Sequence, residues 1–217
     1  MIMSDTLLTI LSNPAVLQRT SAATRLVLEE RAKPADPAQR YLSPDLYATL
    51  QQVVSAVLPQ DAIGTDVDIA ASIDVRLRDG VGSGWRFADL PADGEAYRQG
   101  LTVFAKMLEQ TPMKSFDKMP PSAREGYLRC VANGDVDGPA QFPLSRWLGL
   151  LRTDVVRMWL SHPSTMEKLE LYSFADGATG TTAGPTEHEG WQAITPNKAL
   201  PFEQGIVETA APTERGA

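Results

Sequence analysis

Apolar residues recur at helical intervals in five stretches of the chain, separated by proline, glycine and acidic punctuation. In the first, Leu46, Leu50, Val53, Val54 and Val57 share one face of a 3.6-residue helix that runs on to Leu58. Ser43-Pro44-Asp45 precedes it with a capping hydroxyl, a proline at the first helical position and an acid in the first turn, and Pro59 ends it. From about Asp68 to Arg78, Ile69, Ile73 and Leu77 fall four apart. The clearest pattern spans Glu95 to Gln110, where Tyr97, Leu101, Phe104 and Leu108 line one face. Pro121-Ser122 opens a further helix, and Asn133-Gly134 closes it as left-handed caps do. The most apolar helix is Leu144 to Ser161, with Trp147, Leu150, Leu151, Val155, Met158 and Trp159 on helical spacing and Pro163 as its stop. No alternating run exceeds about four residues, so strands are not expected. No repeat at a period of roughly 20–50 residues is visible.

The two ends differ from this middle. Ser4 and Asp5 can cap a short apolar stretch, and Asn13-Pro14 restarts a helix from Ala15 to Arg31 with Leu17, Ala22, Leu26 and Leu28. Lys33-Pro34-Ala35-Asp36-Pro37 stops it. Beyond Pro163 the apolar density drops, and Gly177 to Gly190 holds four Gly, four Thr and one Pro. The expected fold is mainly α, a single helical domain of about five to seven helices with an extended, loop-rich C-terminal segment. Residues 1–40 read as an N-terminal helical arm, 41–163 as the helical core, and 164–217 as an extended segment and tail.

Composition narrows the function. A chain of 217 residues suits one domain, and 43% apolar with 22% charged residues is enough to bury a core. The net charge of −7 and a pI of about 4.9 argue against nucleic-acid and anionic-membrane partners. No apolar run approaches the ~20 residues a membrane helix needs. The first residues lack a basic signal region and a twin-arginine pair. The expected location is therefore cytoplasmic as written, or periplasmic if a leader has been removed or the complex is exported. Cys130 lies in a helical pattern and reads as a small buried hydrophobe, since one cysteine cannot form an internal disulfide.

Motifs for chemistry are sparse. Gly80-Val81-Gly82-Ser83-Gly84 lacks the third glycine of a dinucleotide loop, because residue 85 is Trp85, and a helix pattern precedes it instead of a strand. Asn133, Asp135, Asp137 and Gly138 imitate half a calcium loop, but its twelfth position is Leu144, which cannot supply the bidentate acid. Glu187-His188-Glu189 lacks the spacing of helical metal ligands, and zinc catalysis needs about three protein ligands. His162 reads as a helix C-terminal residue whose positive character suits the dipole. Trp147 and Trp159 read as core. Trp85 and Trp191 sit in loops, where they either cover the domain's own core or anchor a partner.

Several of these features occur in a known order. Leu58-Pro59-Gln60-Asp61 ends an apolar helix, Ile73-Asp74 lies in the next, and Tyr97-Arg98-Gln99-Gly100-Leu101 follows. Ser115-Phe116 comes in a loop, then the Leu151-Arg152 to Trp159 helix, His162-Pro163, and finally Gly190-Trp191. In this order the chain, from Leu46 to Phe202, resembles the small subunit (subunit 3) of the bacterial gluconate 2-dehydrogenase family. Related small subunits accompany FAD-dependent glucose, fructose and glucoside 3-dehydrogenases. Two departures stand out: Ser164-Thr165-Met166-Glu167 replaces the family's Tyr-Gly-Gly-Asn, and the twin-arginine leader is missing.

The resemblance implies a division of labour. No FAD, catalytic residue or metal is expected in this chain. A large flavoprotein subunit of the glucose-methanol-choline type would hold the FAD, and a cytochrome c or other acceptor would take the electrons. This chain would bind and stabilise the large subunit, with Trp85, Tyr172, Phe174, Trp191 and Phe202 as the expected interface. Two other readings stay open: a helical chaperone or adaptor without a redox role, and a free-standing enzyme built from unmarked residues.

Overall fold

The computed structural model describes residue 20, residues 22–82, 87–136 and 142–169, and residue 171. Within these the periodicities become helices: α1 Ala22–Ala32, α2 Pro44–Val57, α3 Ile69–Arg78, α4 Asp93–Glu109, α5 Pro121–Asn133, α6 Leu144–Ser161 and α7 Pro163–Lys168. A 3-10 turn, Gln60–Ala62, follows α2, and no strand occurs among the described residues. The mainly α fold expected from the pattern is the fold observed.

The helix ends follow local chemistry. Asp68 caps α3 by accepting from the Ala71 amide. Gly134, with φ +78°, closes α5 in the left-handed region that a Cβ disfavours. Ser43 is the N-cap of α2, but its hydroxyl makes no capping bond, so Pro44 at the first turn carries that start. Pro163 is both stop and start: α6 ends at Ser161 and α7 begins at Pro163.

Helix α6 is the hub. It packs on α2, α3, α4, α5 and α7, while α2 also meets α3, α4 and α5. Leu50, Val53, Ile73, Leu101, Phe104, Trp147, Leu151 and Val155 are fully buried between them. Each such side chain contributes about 1.5–3 kcal/mol of transfer free energy. Phe104 centres an aromatic group, edge-on to Phe116 at 5.5 Å and Tyr127 at 5.3 Å, with Trp147 at 6.1 Å. Trp147 lies so close over α4 that a Cβ on Gly100 would stand 2.3 Å from its indole ring. Only glycine permits that approach. Trp147 and Trp159 are core, as their spacing predicts.

One sequence expectation, the burial of Cys130, is corrected. Cys130 is exposed. It lies on the outward side of α5, where Val131 is the buried residue instead. Leu26 is 62% exposed, because α1 turns Leu28 and not Leu26 inward. Helix α1 packs on α7, and Pro163 and Thr165 of α7 are buried. Residues 1–19 and 172–217 lie outside the described residues.

Candidate functional site

The densest chemistry in the described chain is a buried charge cluster built on Arg76. Arg76 follows Ile73 by one helical turn on α3, so the apolar face that buries Ile73 also draws the guanidinium inward. A buried cation is costly unless it is paired and hydrogen-bonded. Nη1 of Arg76 donates to Asp93 Oδ2 at 2.7 Å and to the Val81 carbonyl at 3.1 Å. Nη2 donates to Asp154 Oδ2 at 2.6 Å. The Tyr97 hydroxyl donates to the same Asp154 oxygen at 2.7 Å. Only Nε of Arg76 is left without a partner. The Arg76 and Asp154 side chains are 8% and 2% exposed, so this pair is sealed from solvent.

The electrostatics follow from that sealing. Burial works against the Arg76 charge, but the bond to Asp93 and the nearby Asp154 carboxylate outweigh it and raise its pKa. Burial pushes Asp154 above the usual carboxylate range, against the opposing pull of Arg76, the Tyr97 hydroxyl and Arg157. Burial and then the Asp154 charge push Tyr97 well above an ordinary phenol, so it stays a donor. These groups are committed to one another, and together they tie α3, α4, α6 and the turn after α3 into one unit.

Two smaller polar clamps flank the cluster. Asp74, 1% exposed, accepts from the Tyr41 amide at 3.0 Å and the Leu42 amide at 2.9 Å, which fixes the entry to α2. Gln60 bridges the connection between α2 and α3, donating to the Val67 carbonyl at 2.8 Å and accepting from the Val67 amide at 2.9 Å. Thr65 donates to Gln60 and accepts from the Trp159 indole at 3.0 Å, locking that connection to the end of α6. At the junction of α6 and α7, Nδ1 of His162 accepts from the Ser164 amide at 3.2 Å. That nitrogen must be unprotonated, and burial lowers the pKa of the ring. His162 is thus a neutral cap for α7, not a positive group at the end of α6.

A family model described as gluconate 2-dehydrogenase subunit 3 matches residues 44–177. The chain belongs to the gluconate 2-dehydrogenase subunit 3 family. No curated protein and no solved structure matches it. The match begins at Pro44, the first residue of α2, and takes in α2 to α7. The residues that carry the resemblance are largely those of the framework. In this subunit 3 chain Gln60 and Asp74 are clamps, Tyr97 belongs to the Arg76 cluster, and Gly100 receives Trp147. Phe116 joins the aromatic group, and His162 caps α7.

The expected interface residues Trp85, Tyr172, Phe174, Trp191 and Phe202 lie outside the described residues, as do His188, Asp137 and Gly138. Among the described residues no group of three or more His, Cys, Asp or Glu side chains is placed to hold a metal ion. None of their helices is long and apolar enough to cross a membrane. A helix, α3, does precede Gly80-Val81-Gly82, which is the context that disfavours a dinucleotide loop. The Arg76 cluster was missed from sequence. Its one signal is a charged residue on an otherwise apolar face: Arg76 after Ile73, and Asp154 between Leu151 and Val155.

Proposed function

We propose that this chain is the non-catalytic small subunit of an FAD-dependent sugar, glucoside or sugar-acid dehydrogenase, and that it binds and stabilises the large, FAD-containing subunit of the glucose-methanol-choline type. The observation that carries this reading is the family match across the helical body, residues 44–177. The geometry is in keeping with it. The buried charges of the described region are spent on holding helices together, and the Arg76 and Asp154 side chains are buried against one another. In this reading substrate, flavin and the acceptor, such as a cytochrome c, meet on other chains.

The test is co-expression with the flavoprotein of the same genome. The two chains should co-purify as a yellow complex through affinity and size-exclusion steps, and the flavoprotein expressed alone should be less soluble or less stable. A well-folded chain that passes through both steps without retaining the flavoprotein refutes the reading.

A further inference from the structure

Helix α1 stands apart from the body it touches. It lies outside residues 44–177, the span of the family match, yet it packs on α7, which lies inside that span. Leu28 is its one buried side chain, at 2% exposure, whereas Leu26 is 62% exposed. Leu28 is not part of the continuous buried cluster, whose members run from Leu42 to Trp159. A helix of 11 residues is marginal in water by itself, so α1 depends on tertiary contact. The link that follows it is locally bonded: Asp36 accepts from the Ala38 amide and from the Gln39 side chain, both at 2.9 Å. The chain meets the body from Gln39, which Nη1 of Arg78 reaches at 3.4 Å. It is anchored by Arg40, 3.6 Å over the Tyr47 ring, and by the Tyr41 and Leu42 amides on Asp74. Helix α7 has six residues, rests on α6 and α1, and buries Pro163 and Thr165. It is the last helix before residues 172–217, which hold four of the expected interface residues.

We propose that α1 is a hinged strap: residues 33–39 are the hinge, α7 is the seat, and the strap opens as a unit that uncovers α7 while the α2–α6 body stays folded. The partition of contacts is the reason. The continuous buried cluster and the Arg76 cluster close α2 to α6 without a residue of α1. Opening α1 therefore removes the seat of Leu28 and the cover of α7 and leaves those contacts intact. Units joined to a fold in this way open at free energies below that of global unfolding. A short link that bonds chiefly to itself can absorb the backbone change of such a motion. In the closed state α7 is fixed, and with it the point from which the C-terminal residues depart.

Amide hydrogen exchange of the full chain, followed by mass spectrometry, reads the opening. It uses this chain alone, so its outcome is separate from the partner reading. In the wild type α1 and α7 should exchange together, roughly tenfold or more faster than the α2–α6 body. Leu28→Gln nearly keeps the helix propensity and removes the apolar anchor. It should speed exchange in α1 and α7 by roughly tenfold or more and leave residues 44–161 at the wild-type rate. Leu26→Gln makes the same change on the exposed side and should exchange as wild type. Should Leu28→Gln fold poorly, Leu28→Ala takes its place with the same expected pattern. If α7 keeps its protection while α1 loses it, α7 is not the seat and the proposal falls. If the body exchanges in step with α1, or neither Leu28 variant folds, α1 belongs to one cooperative fold and the proposal is overturned. If Leu26→Gln opens the chain as Leu28→Gln does, the anchor lies elsewhere and the proposal is overturned.

Discussion

Gly100→Ala isolates the packing that holds α4 against α6. In an exposed helix the change from glycine to alanine is favourable by about 1 kcal/mol, because glycine loses more backbone freedom on folding. At Gly100 the new Cβ would lie 2.3 Å from Cε2 and Nε1 of Trp147 and 2.4 Å from Cδ1. Ordinary carbon contacts begin near ~3.5 Å, so the indole or the helix must move by about an ångström. The indole has no free end to swing away. It is fully buried, and the rings of Tyr97 and Phe104 stand 6.4 Å and 6.1 Å away. Overpacking of this kind costs ~1–3 kcal/mol or more. A rigid ring and an overlap of this size belong at or above the top of that range. The overlap therefore exceeds the propensity gain, leaving a net loss of about 2 kcal/mol and a Tm lower by about 4–8 °C for a chain of this size. Gly126→Ala on α5 is the matched control, since a Cβ there meets nothing within 4 Å. That variant should gain up to ~1 kcal/mol and melt about 2–4 °C higher. Thermal and urea unfolding followed by far-UV circular dichroism measure both. A Gly100→Ala protein as stable as wild type would mean that the close approach of Trp147 to α4 is not what that glycine serves.

Three further outcomes follow from the same geometry. Arg76→Leu leaves Asp154 buried without its cation and should cost about 3–5 kcal/mol in urea unfolding, whereas Tyr97→Phe, which removes one donor to that carboxylate, should cost ~1–3 kcal/mol; an Arg76→Leu chain of wild-type stability would show that the cluster does not brace the bundle. The folded pKa of His162 lies below its ordinary 6.5, so below pH 6.5 the unfolded chain takes up a proton that the folded ring resists. Its contribution is fully present above 6.5 and is lost as pH falls from 6.5 through the folded value; in His162→Asn, which keeps a capping acceptor but does not titrate, the slope of Tm against pH in that window should flatten, and an unchanged slope refutes the assignment. Cys130 should react with a thiol reagent in the native protein, and Cys130→Ser should change stability by less than about 0.5 kcal/mol; a thiol that reacts only after unfolding would contradict its exposure.

The helices were legible in the sequence because the signals that make them are local. Apolar residues three and four apart mark a face whatever lies opposite it, and Pro44, Asp68 and Gly134 act on the turns beside them. The family resemblance was legible too, since it rests on the order of such local features. What lay opposite each face was decided by tertiary structure alone. Arg76 and Asp154 are 78 residues apart, and no periodicity joins a guanidinium on α3 to a carboxylate on α6. Trp159 and Thr65 are 94 apart. The same holds for Cys130 and Leu26, whose exposure depends on which side of a weakly amphipathic helix finds a neighbour. His162 shows the two levels meeting. A histidine before a proline at a helix end reads locally as a cation for the dipole, but the packing of α7 buries the ring and turns its nitrogen into an acceptor. Periodicity is written along one helix, whereas the pairing of buried charges depends on where separate helices come to rest against each other.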